Sequence, residues 1–454
     1  MMKLSPALKK AYTEEQMTAP EAQRLAEFIA WGPIVFQVSR IMLQRGIFAL
    51  LGESGEGLTR QEITQKTGLS DYAVKCLMEA SLSIGTVLVN PETERYTLSK
   101  AGWFLANDAA TGVNMDFNHK VNYEGMFHLE ESLEGGRPEG LRHFGSWPTI
   151  YEGLSSLPEE VRKSWLAFDH FYSDAAFPEA LKIVFDRYGV RTLYDVGGNT
   201  GKWALQCVAY SSEARVTVLD LPQQLALMQD NIKGKMGAER ITGFAVNFLD
   251  PEAKFPQGER PDAVWMSQFL DCFSTDEITG ILSRAREAMD AHTRLFIMET
   301  LWDRQRYETA TFCLTMTSLY FTAMANGNSK MYNTEDLEQC ILRAGLEVED
   351  ICDGLGHGHS IIVCKKKETK INSIMTRQEI EEKVRAFLID EFEIEADLIH
   401  DGARLKEDLG IDSLDLVDIV VIVQKVFGFK INLEEMKTVA TLREFCDYIE
   451  KKVG

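Results

Sequence analysis

The sequence predicts a protein of several domains: a mainly helical N-terminal domain, an α/β domain with a mostly parallel sheet, and a small acidic helical domain. Three observations support this prediction. The 454 residues exceed what a single hydrophobic core usually accommodates. From Arg191 onward, β-rich runs alternate with helical segments. A short charged linker, residues 367–374, then precedes a last segment, residues 375–454, that holds 19 Asp and Glu against 11 Lys and Arg.

In the N-terminal part, residues 22–106 alternate helical patterns with turns and end in two short β-rich runs between Thr86 and Leu98. A capping box, Thr59 to Glu62, opens a helix-turn-helix pattern, so we expect a winged helix. DNA binding is one interpretation, but the stretch 71–80 carries a single cation, Lys75. Because the segment 28–48 is too apolar to stay solvated, a homodimer is the better interpretation.

Composition excludes several classes of function. The chain has 48 Lys and Arg against 69 Asp and Glu, and a net charge of -21 argues against nucleic acid as a partner. No apolar run approaches the roughly 20 residues of a membrane span, and no signal peptide is visible, so a soluble cytoplasmic protein is expected. The 8 cysteines form no C-x-x-C pair, which indicates neither a zinc site nor a disulfide framework.

The α/β domain is predicted from six β-rich runs that alternate with helical patterns. The expected strands are Thr192–Val196, Arg215–Leu219, Ile241–Phe248, Ala263–Ser267, Leu295–Glu299 and Ser360–Lys365.

A glycine-rich turn follows the first of these strands, in Leu193-Tyr-Asp-Val-Gly-Gly-Asn-Thr-Gly201, and a helix begins at Lys202. Glycines let a backbone approach a ligand closely, and an acid that ends the next strand, here Asp220, can bind a ribose diol. From these residues alone, an ordinary strand-to-helix turn remains the alternative.

With these motifs, residues 20–366 resemble the winged-helix class of small-molecule O-methyltransferases. The family's D-V-G-G-G-x-G matches Asp195 to Gly201, with Asn199 in place of the third glycine, and its D-L-P matches Asp220 to Pro222. The resemblance implies a dimerisation domain (1–110), connecting helices that line the acceptor pocket (111–190) and a Rossmann-like domain (191–366) that binds S-adenosylmethionine. It assigns cofactor binding to Asp195, Gly197, Gly198, Asn199, Gly201, Asp220, Leu221, Asn247, Phe248 and Ser267.

The resemblance also points to the residues of methyl transfer. In plant members of the family a His accepts the proton of the acceptor hydroxyl between two carboxylates. Asp271 stands at the position of that His, Glu299 matches one carboxylate, and the other falls near Met331 and is lost. As an alternative, Asp271 caps the helix that begins at Thr275.

Aromatic and sulfur side chains crowd residues 165–172 and 312–324, which match the helices that line the family's acceptor pocket. Helix core is the plainer interpretation for Phe168, Leu314 and Leu319. His170 and Tyr172 have polar tips and are secondary candidates for catalysis. No metal is expected, because a sulfonium is already a good electrophile.

The C-terminal segment contains Leu405-Lys-Glu-Asp-Leu-Gly-Ile-Asp-Ser-Leu-Asp-Leu-Val-Asp418 and resembles acyl carrier proteins over residues 375–454. The resemblance implies a four-helix, all-α domain with 4'-phosphopantetheine on Ser413, attached by a phosphopantetheinyl transferase. Its acidic surface would dock acyl-chain synthases. One local conflict is the β-branched run 416–423, for which propensity predicts a strand and the resemblance a helix.

Together these patterns predict an S-adenosylmethionine-dependent methyltransferase for an acyl or aryl thioester carried by its own carrier domain. The pathway would be polyketide, fatty-acid-like or aryl-polyene biosynthesis. Three alternatives stay open: ring C-methylation of a 4-hydroxyaryl thioester, methylation of a free phenol, and a non-catalytic dimeric scaffold for the carrier.

Overall fold

The computed structural model describes residues 6–258, 260–367, 376–392, 394–411, 415–427, 429, 431, 436 and 439–453. The chain divides into two compact units, residues 1–366 and 367–454. Ser413 lies outside the described residues.

The first unit begins with a helical domain that contains a β-hairpin. Its core is formed by apolar side chains such as Met42, Phe48, Ile63 and Met78, all fully buried. A capping box between Thr59 and Glu62 opens the first of two helices that pack as a helix-turn-helix. The elements are α1 Pro6–Thr13, α2 Ala19–Ala30, α3 Gly32–Gln44, α4 Ile47–Glu53, α5 Arg60–Thr67, α6 Asp71–Ile84, the antiparallel strands β1 Val87–Asn90 and β2 Arg95–Leu98, and α7 Lys100–Asn107.

Helices α2 and α3 leave large apolar side chains on the surface. Phe28, Ile29, Trp31 and Ile34 are 43%, 68%, 59% and 55% exposed. Within the described residues no single helix has the length and apolarity to cross a bilayer. Helices α2 and α3 together are long and apolar enough by composition, but the chain bends by 74° between them.

A set of connecting helices leads to the sheet domain. They are α8 Ala109–Phe117, α9 Leu129–Gly135, α10 Ile150–Gly153, α11 Glu159–Asp174 and α12 Phe177–Leu181, with π-helical turns at Asn118–Asn122 and Lys182–Arg187 and 3₁₀ turns at Gly125–His128, Glu139–His143 and Leu154–Ser156.

The sheet domain has seven strands in the order β5-β4-β3-β6-β7-β9-β8, and of these described strands β9 runs antiparallel to the other six. Apolar clusters cover both faces of the sheet. The elements are β3 Thr192–Val196, α13 Lys202–Tyr210, β4 Arg215–Asp220, α14 Pro222–Ile232, β5 Ile241–Ala245, β6 Ala263–Ser267, α15 Thr275–Ala288, β7 Arg294–Glu299, α16 Glu308–Tyr320, α17 Thr334–Arg343, β8 Leu346–Leu355 and β9 His359–Lys366, with 3₁₀ turns at Ala238–Arg240, Leu270–Cys272 and Trp302–Arg304 and a π turn at Phe321–Ala325.

Strand order places a crevice at the carboxyl ends of β3 and β6. The chain passes from β3 outward to β4 and β5, then returns to β6 on the other side of β3. Ligands of open α/β sheets bind at such a reversal of strand order. The carboxyl ends of β3, β4, β6 and β7 therefore bring together loops that are far apart in sequence.

Two predictions about the strands need correction. Strand β5 ends at Ala245, because the chain leaves the sheet there. It then forms a turn in which the side-chain Oδ1 of Asn247 accepts the backbone N–H of Leu249. Strand β8 was missed. It is acidic, bulged and half exposed at the sheet edge, so it lacks the clean alternation of a buried strand.

The second unit packs its helices around a core that includes Ile380, Val384, Val423 and Phe445. The β-branched run 416–423 is helical, as the family resemblance required and against local propensity. Burial of one face of the helix in this core outweighs the χ1 restriction. The elements within the described residues are α18 Arg377–Phe392, a 3₁₀ turn at Ala396–Leu398, α19 Asp415–Phe427 and α20 Leu442–Val453.

Candidate active site

The glycine-rich loop between β3 and α13 has no space for side chains at three positions. A Cβ at Gly197 would lie 2.4 Å from the Phe269 ring, and one at Gly198 would lie 2.5 Å from the Asp195 carboxylate. Gly197 and Gly201 have φ of 72° and 73°, and Asn199 adopts a similar φ of 48°. Asn tolerates this region, which explains why it can replace the third glycine of the motif.

Asp220, at the end of β4, ties this loop to the neighbouring strand. Its carboxylate accepts hydrogen bonds from the backbone N–H of Asn199 at 2.9 Å and of Leu221 at 2.7 Å. Burial raises its pKa, and the two N–H donors partly oppose that shift. The carboxylate therefore already holds the loop in shape and still faces the cavity.

Asp195, at the end of β3, is 2% exposed and lines the cavity. Among the described residues its Oδ2 has no hydrogen-bond partner. Burial, with a smaller contribution from the charge of Asp220, raises its pKa to about 8. A buried carboxyl atom without a partner is costly, so this position is suited to a ligand that donates a hydrogen bond or carries positive charge.

A single cavity of about 420 Å³ runs from this loop into the connecting helices. The end we call the glycine-loop end is lined by all ten predicted cofactor residues except Gly201. Gly201 instead packs against α14, where a Cβ would lie 2.8 Å from Met228. Phe248 is buried there, whereas Asn247 is exposed and accepts the backbone N–H of Leu249 at 3.0 Å.

Apolar and aromatic side chains form the opposite wall, which we call the aromatic end. Trp165 of α11 donates from Nε1 to the Tyr320 hydroxyl at 2.6 Å, which fixes two of the rings. The ring of Phe117 stacks on the ring of Phe168, with 4.0 Å between the two ring centroids. The aromatic end consists of Phe117, Tyr151, Leu154, Trp165, Phe168, Tyr320, Phe321 and Met331.

Asp271 lies in a 3₁₀ turn after β6, lines the cavity and is 5% exposed. Burial raises its pKa to about 6, and a hydrogen bond from the Cys272 thiol at 3.4 Å partly opposes this shift. The alternative role for Asp271, capping α15, is wrong, because Ser274 caps that helix and forms a capping box with Glu277. The Asp271 carboxyl is therefore left facing the cavity.

Glu299, at the end of β7, is 3% exposed and does not line the cavity. Its Oε1 accepts hydrogen bonds from the backbone N–H groups of Phe269 at 3.1 Å and Leu270 at 2.9 Å. Burial, followed by the charge of Asp271, raises its pKa well above the usual value. Glu299 thus supports the turn that carries Asp271.

The two secondary candidates differ. His170 of α11 lines the cavity, with its Nδ1 3.8 Å from Oδ1 of Asp174. Tyr172 does not line the cavity, and its hydroxyl donates to the Asn114 side chain at 2.9 Å. Helical spacing explains the difference, since residues two apart point to different faces of a helix.

Asp169 is a cavity residue that the sequence analysis missed. Burial is the main cause that raises its pKa to about 6; the neighbouring His170 opposes this shift, and the charge of Asp271 adds to it. In the sequence, the one indication was the helical spacing within α11, which shows that Asp169 faces the cavity once the orientation of the helix is known. At the carboxyl end of β6, Ser267 was predicted as a cofactor-binding residue, but the neighbouring Gln268 was missed. Gln268 has a φ of 44°, and its buried Oε1 has no hydrogen-bond partner within the described structure.

Three family models match successive parts of the chain: a Dimerisation2-like domain over residues 23–96, an O-methyltransferase domain over 158–347 and a phosphopantetheine attachment site over 382–449. An acyl carrier protein of Thermotoga maritima is 35% identical over 79 residues, which are 17% of this chain and 98% of that protein. Fold and cavity, with these matches, define a Rossmann-like methyltransferase joined to a carrier domain.

Longer relatives match the first unit. Demethylspheroidene O-methyltransferase of Cereibacter sphaeroides is 24% identical over 339 residues, 74% of this chain and 82% of that protein. Bacteriochlorophyllide d C-20 methyltransferase of Chlorobaculum tepidum is 22% identical over 285 residues, 62% and 79% of the two chains. The solved structure of the S-adenosylmethionine-dependent methyltransferase SibL in its apo form has a TM-score of 0.58 at 23% identity and covers 75% of this chain and 98% of that chain.

The chain contains an O-methyltransferase domain, and its C-terminal domain belongs to the acyl carrier protein family. The predicted fold class, enzyme class and two cofactors, S-adenosylmethionine and 4'-phosphopantetheine, are confirmed.

Proposed function

We propose that this enzyme methylates a hydroxyaryl or acyl group that is held as a thioester on its own carrier domain, in polyketide, fatty-acid-like or aryl-polyene biosynthesis. One observation carries the proposal: in a chain with a carrier domain, a single cavity joins the glycine-loop end to an aromatic end that contains a buried carboxyl. The aromatic end is large and apolar enough for a ring or an acyl chain.

The glycine-loop end suits S-adenosylmethionine, which supplies a methyl group on a positively charged sulfonium. Gly197 and Gly198 keep the loop backbone close to Phe269 and Asp195, where any Cβ would collide, and so hold the loop in this shape. The unpartnered Oδ2 of Asp195 is placed to accept from an ammonium, and the Asp220 carboxylate to accept from a ribose diol. Asn247 and Phe248 would then lie beside the adenine.

Asp271 is our candidate for the base. Its pKa of about 6 leaves it mostly ionised at pH 7.5, yet much more basic than an exposed carboxylate. It can therefore accept the proton of a phenol that is bound at the aromatic end, where the apolar wall excludes water. We assign Glu299 to positioning, since it bonds to the backbone of the turn and not to the cavity. His170 is the reserve base, whereas the position of Tyr172 favours a structural role.

In the carrier domain, we assign the phosphopantetheine to Ser413, which a phosphopantetheinyl transferase would modify. Acyl-chain synthases would dock on the exposed acidic side of α19, where Asp418 lies. The apolar surface of α2 and α3, within a Dimerisation2-like domain, supports a homodimer.

Ring C-methylation is a second candidate function, because one relative is a C-20 methyltransferase, which adds its methyl group to carbon. A phenolate also activates its ortho carbon, so proton removal by Asp271 would serve either outcome. Methylation of a free phenol, with the carrier serving another enzyme, is the alternative that the experiment below distinguishes. The match to an enzyme domain and the intact cavity oppose a purely scaffolding role.

The test is to load the full-length chain with a 4-hydroxybenzoyl group, by a promiscuous phosphopantetheinyl transferase and 4-hydroxybenzoyl coenzyme A, and to add S-adenosylmethionine. We expect the intact mass to rise by one methyl group, and fragmentation of the released acyl group to locate it on oxygen or carbon. Ser413→Ala with free 4-hydroxybenzoate is the matched control. Methylation of the free phenol alone, with the loaded chain unchanged, would contradict the proposal.

A further inference from the structure

The aromatic end carries negative charge in a largely apolar wall. Asp169 and Asp271 both line it, from α11 and from the turn after β6. Both lie close enough to the Tyr320 phenol that their charges raise its pKa, after the larger effect of burial. The two acids, which are distant in sequence, thus surround one apolar space together.

Basic side chains offset only part of this charge: His170 and Lys202 lie close enough to Asp169 to oppose the rise of its pKa. Among the residues that line the cavity in the described structure, Lys202 is the only Lys or Arg. It belongs to the glycine-loop end and forms an ion pair with Asp174. The connecting helices contribute one further acid to the cavity lining, Glu152, which adds negative charge at an exposed position.

We propose that the aromatic end selects acceptors whose carboxyl group is masked as a neutral thioester and rejects the free acids, and that Asp169 is the residue that sets this preference. The inference rests on the proposed function and adds its selectivity. A carrier thioester replaces a carboxylate by a neutral group, so the same aromatic acid enters the cavity without a third negative charge. The carrier domain then confers chemical selectivity as well as delivery.

Coulomb's law gives the size of the effect. A like charge within roughly 6 Å, at an effective dielectric constant near 20, reduces affinity by about 100-fold. Solvent in the cavity screens part of this repulsion, so discrimination of about 10- to 100-fold between thioester and free acid is expected. Burial raises the pKa of Asp169 and of Asp271 to about 6, so both carboxyls are ionised at pH 8.

The experiment measures binding and turnover of two probes, 4-hydroxybenzoate and its pantetheine thioester, on the full-length chain at pH 8. Asp169→Asn removes one charge with little change in shape. Asp116→Asn is the matched control: it removes the same charge from α8, outside the cavity lining, where Asp116 pairs with Lys120. The readout is the ratio of kcat/KM for thioester and acid, supported by Kd values in the presence of S-adenosylhomocysteine.

We expect the wild-type ratio to favour the thioester by 10- to 100-fold, Asp169→Asn to reduce it about 10-fold through tighter binding of the acid, and Asp116→Asn to leave it unchanged. A wild-type ratio near one would overturn the inference while leaving the proposed function intact. An unchanged ratio in Asp169→Asn would remove the role of Asp169. If neither probe binds, the aryl acceptor itself is wrong and the inference falls with it.

Discussion

Glu299 offers the sharpest test of how this site is built. It was predicted to flank the base, but it lies behind the cavity wall and accepts the backbone N–H groups of Phe269 and Leu270. Burial and the charge of Asp271 raise the pKa of Glu299 well above its usual value, which favours the neutral, protonated form. Its function is then to accept two hydrogen bonds as a neutral group, which a glutamine can also do.

The structure gives a magnitude for each substitution. Glu299→Gln keeps a neutral acceptor of the same shape, so turnover should stay within about threefold of wild type. Glu299→Ala leaves the buried N–H of Leu270 and the part-buried N–H of Phe269 unpaired, at about 1 to 3 kcal/mol each, and we expect a loss of about 2 to 6 kcal/mol in the free energy of unfolding. Turnover should fall more than tenfold, because the turn that carries Asp271 loses its support.

Urea unfolding followed by tryptophan fluorescence measures the stability of the first unit alone, since all 7 tryptophans precede residue 367. Glu213→Gln, at an exposed position before β4, is the control for loss of a surface carboxylate. If Glu299→Gln is as damaging as Glu299→Ala, the carboxylate is ionised and its charge is required. A harmless Glu299→Ala would show that the two hydrogen bonds do not hold the turn.

Three further predictions concern the base, the cofactor and the dimer. Asp271→Asn should lower turnover by about 10² to 10⁴-fold without changing cofactor affinity, and wild-type kcat should rise with pH and level off above about 6, as the carboxyl ionises; a flat pH profile or full activity in the variant would exclude this base. Asp220→Ala should weaken cofactor binding by roughly 1.5 to 3 kcal/mol in calorimetry, the scale of a hydrogen bond to a charged group; unchanged affinity would place the ribose elsewhere. Light scattering at micromolar concentration should show a homodimer, and charged substitutions at Trp31 and Ile34 should dissociate it, because they put charge into the apolar contact; a wild-type monomer would contradict the dimer.

Local sequence was sufficient for the elements whose chemistry is local. The strands Thr192–Val196 and Ala263–Ser267 and the capping box at Thr59 formed as predicted, because the side-chain period and the cap geometry depend on neighbours within a few residues. The glycine positions 197 and 201 adopt the left-handed backbone that their pattern indicated. For the run 416–423, local propensity predicted the wrong structure and the family resemblance the right one.

Tertiary structure decided what each functional group faces. Asp169 and Asp271 are 102 positions apart and line one cavity, because α11 and the turn after β6 both face it, an arrangement that no local pattern encodes. Long-range packing also directs the Glu299 carboxyl toward the backbone N–H of Leu270. It places the Tyr172 hydroxyl where it donates a hydrogen bond to the Asn114 side chain. The sequence by itself thus determined the fold class, the glycine-rich loop and the family resemblance, since these depend on short-range patterns. Only the tertiary structure separated the residues that line the cavity from those that support its wall, because burial and direction are properties of long-range packing.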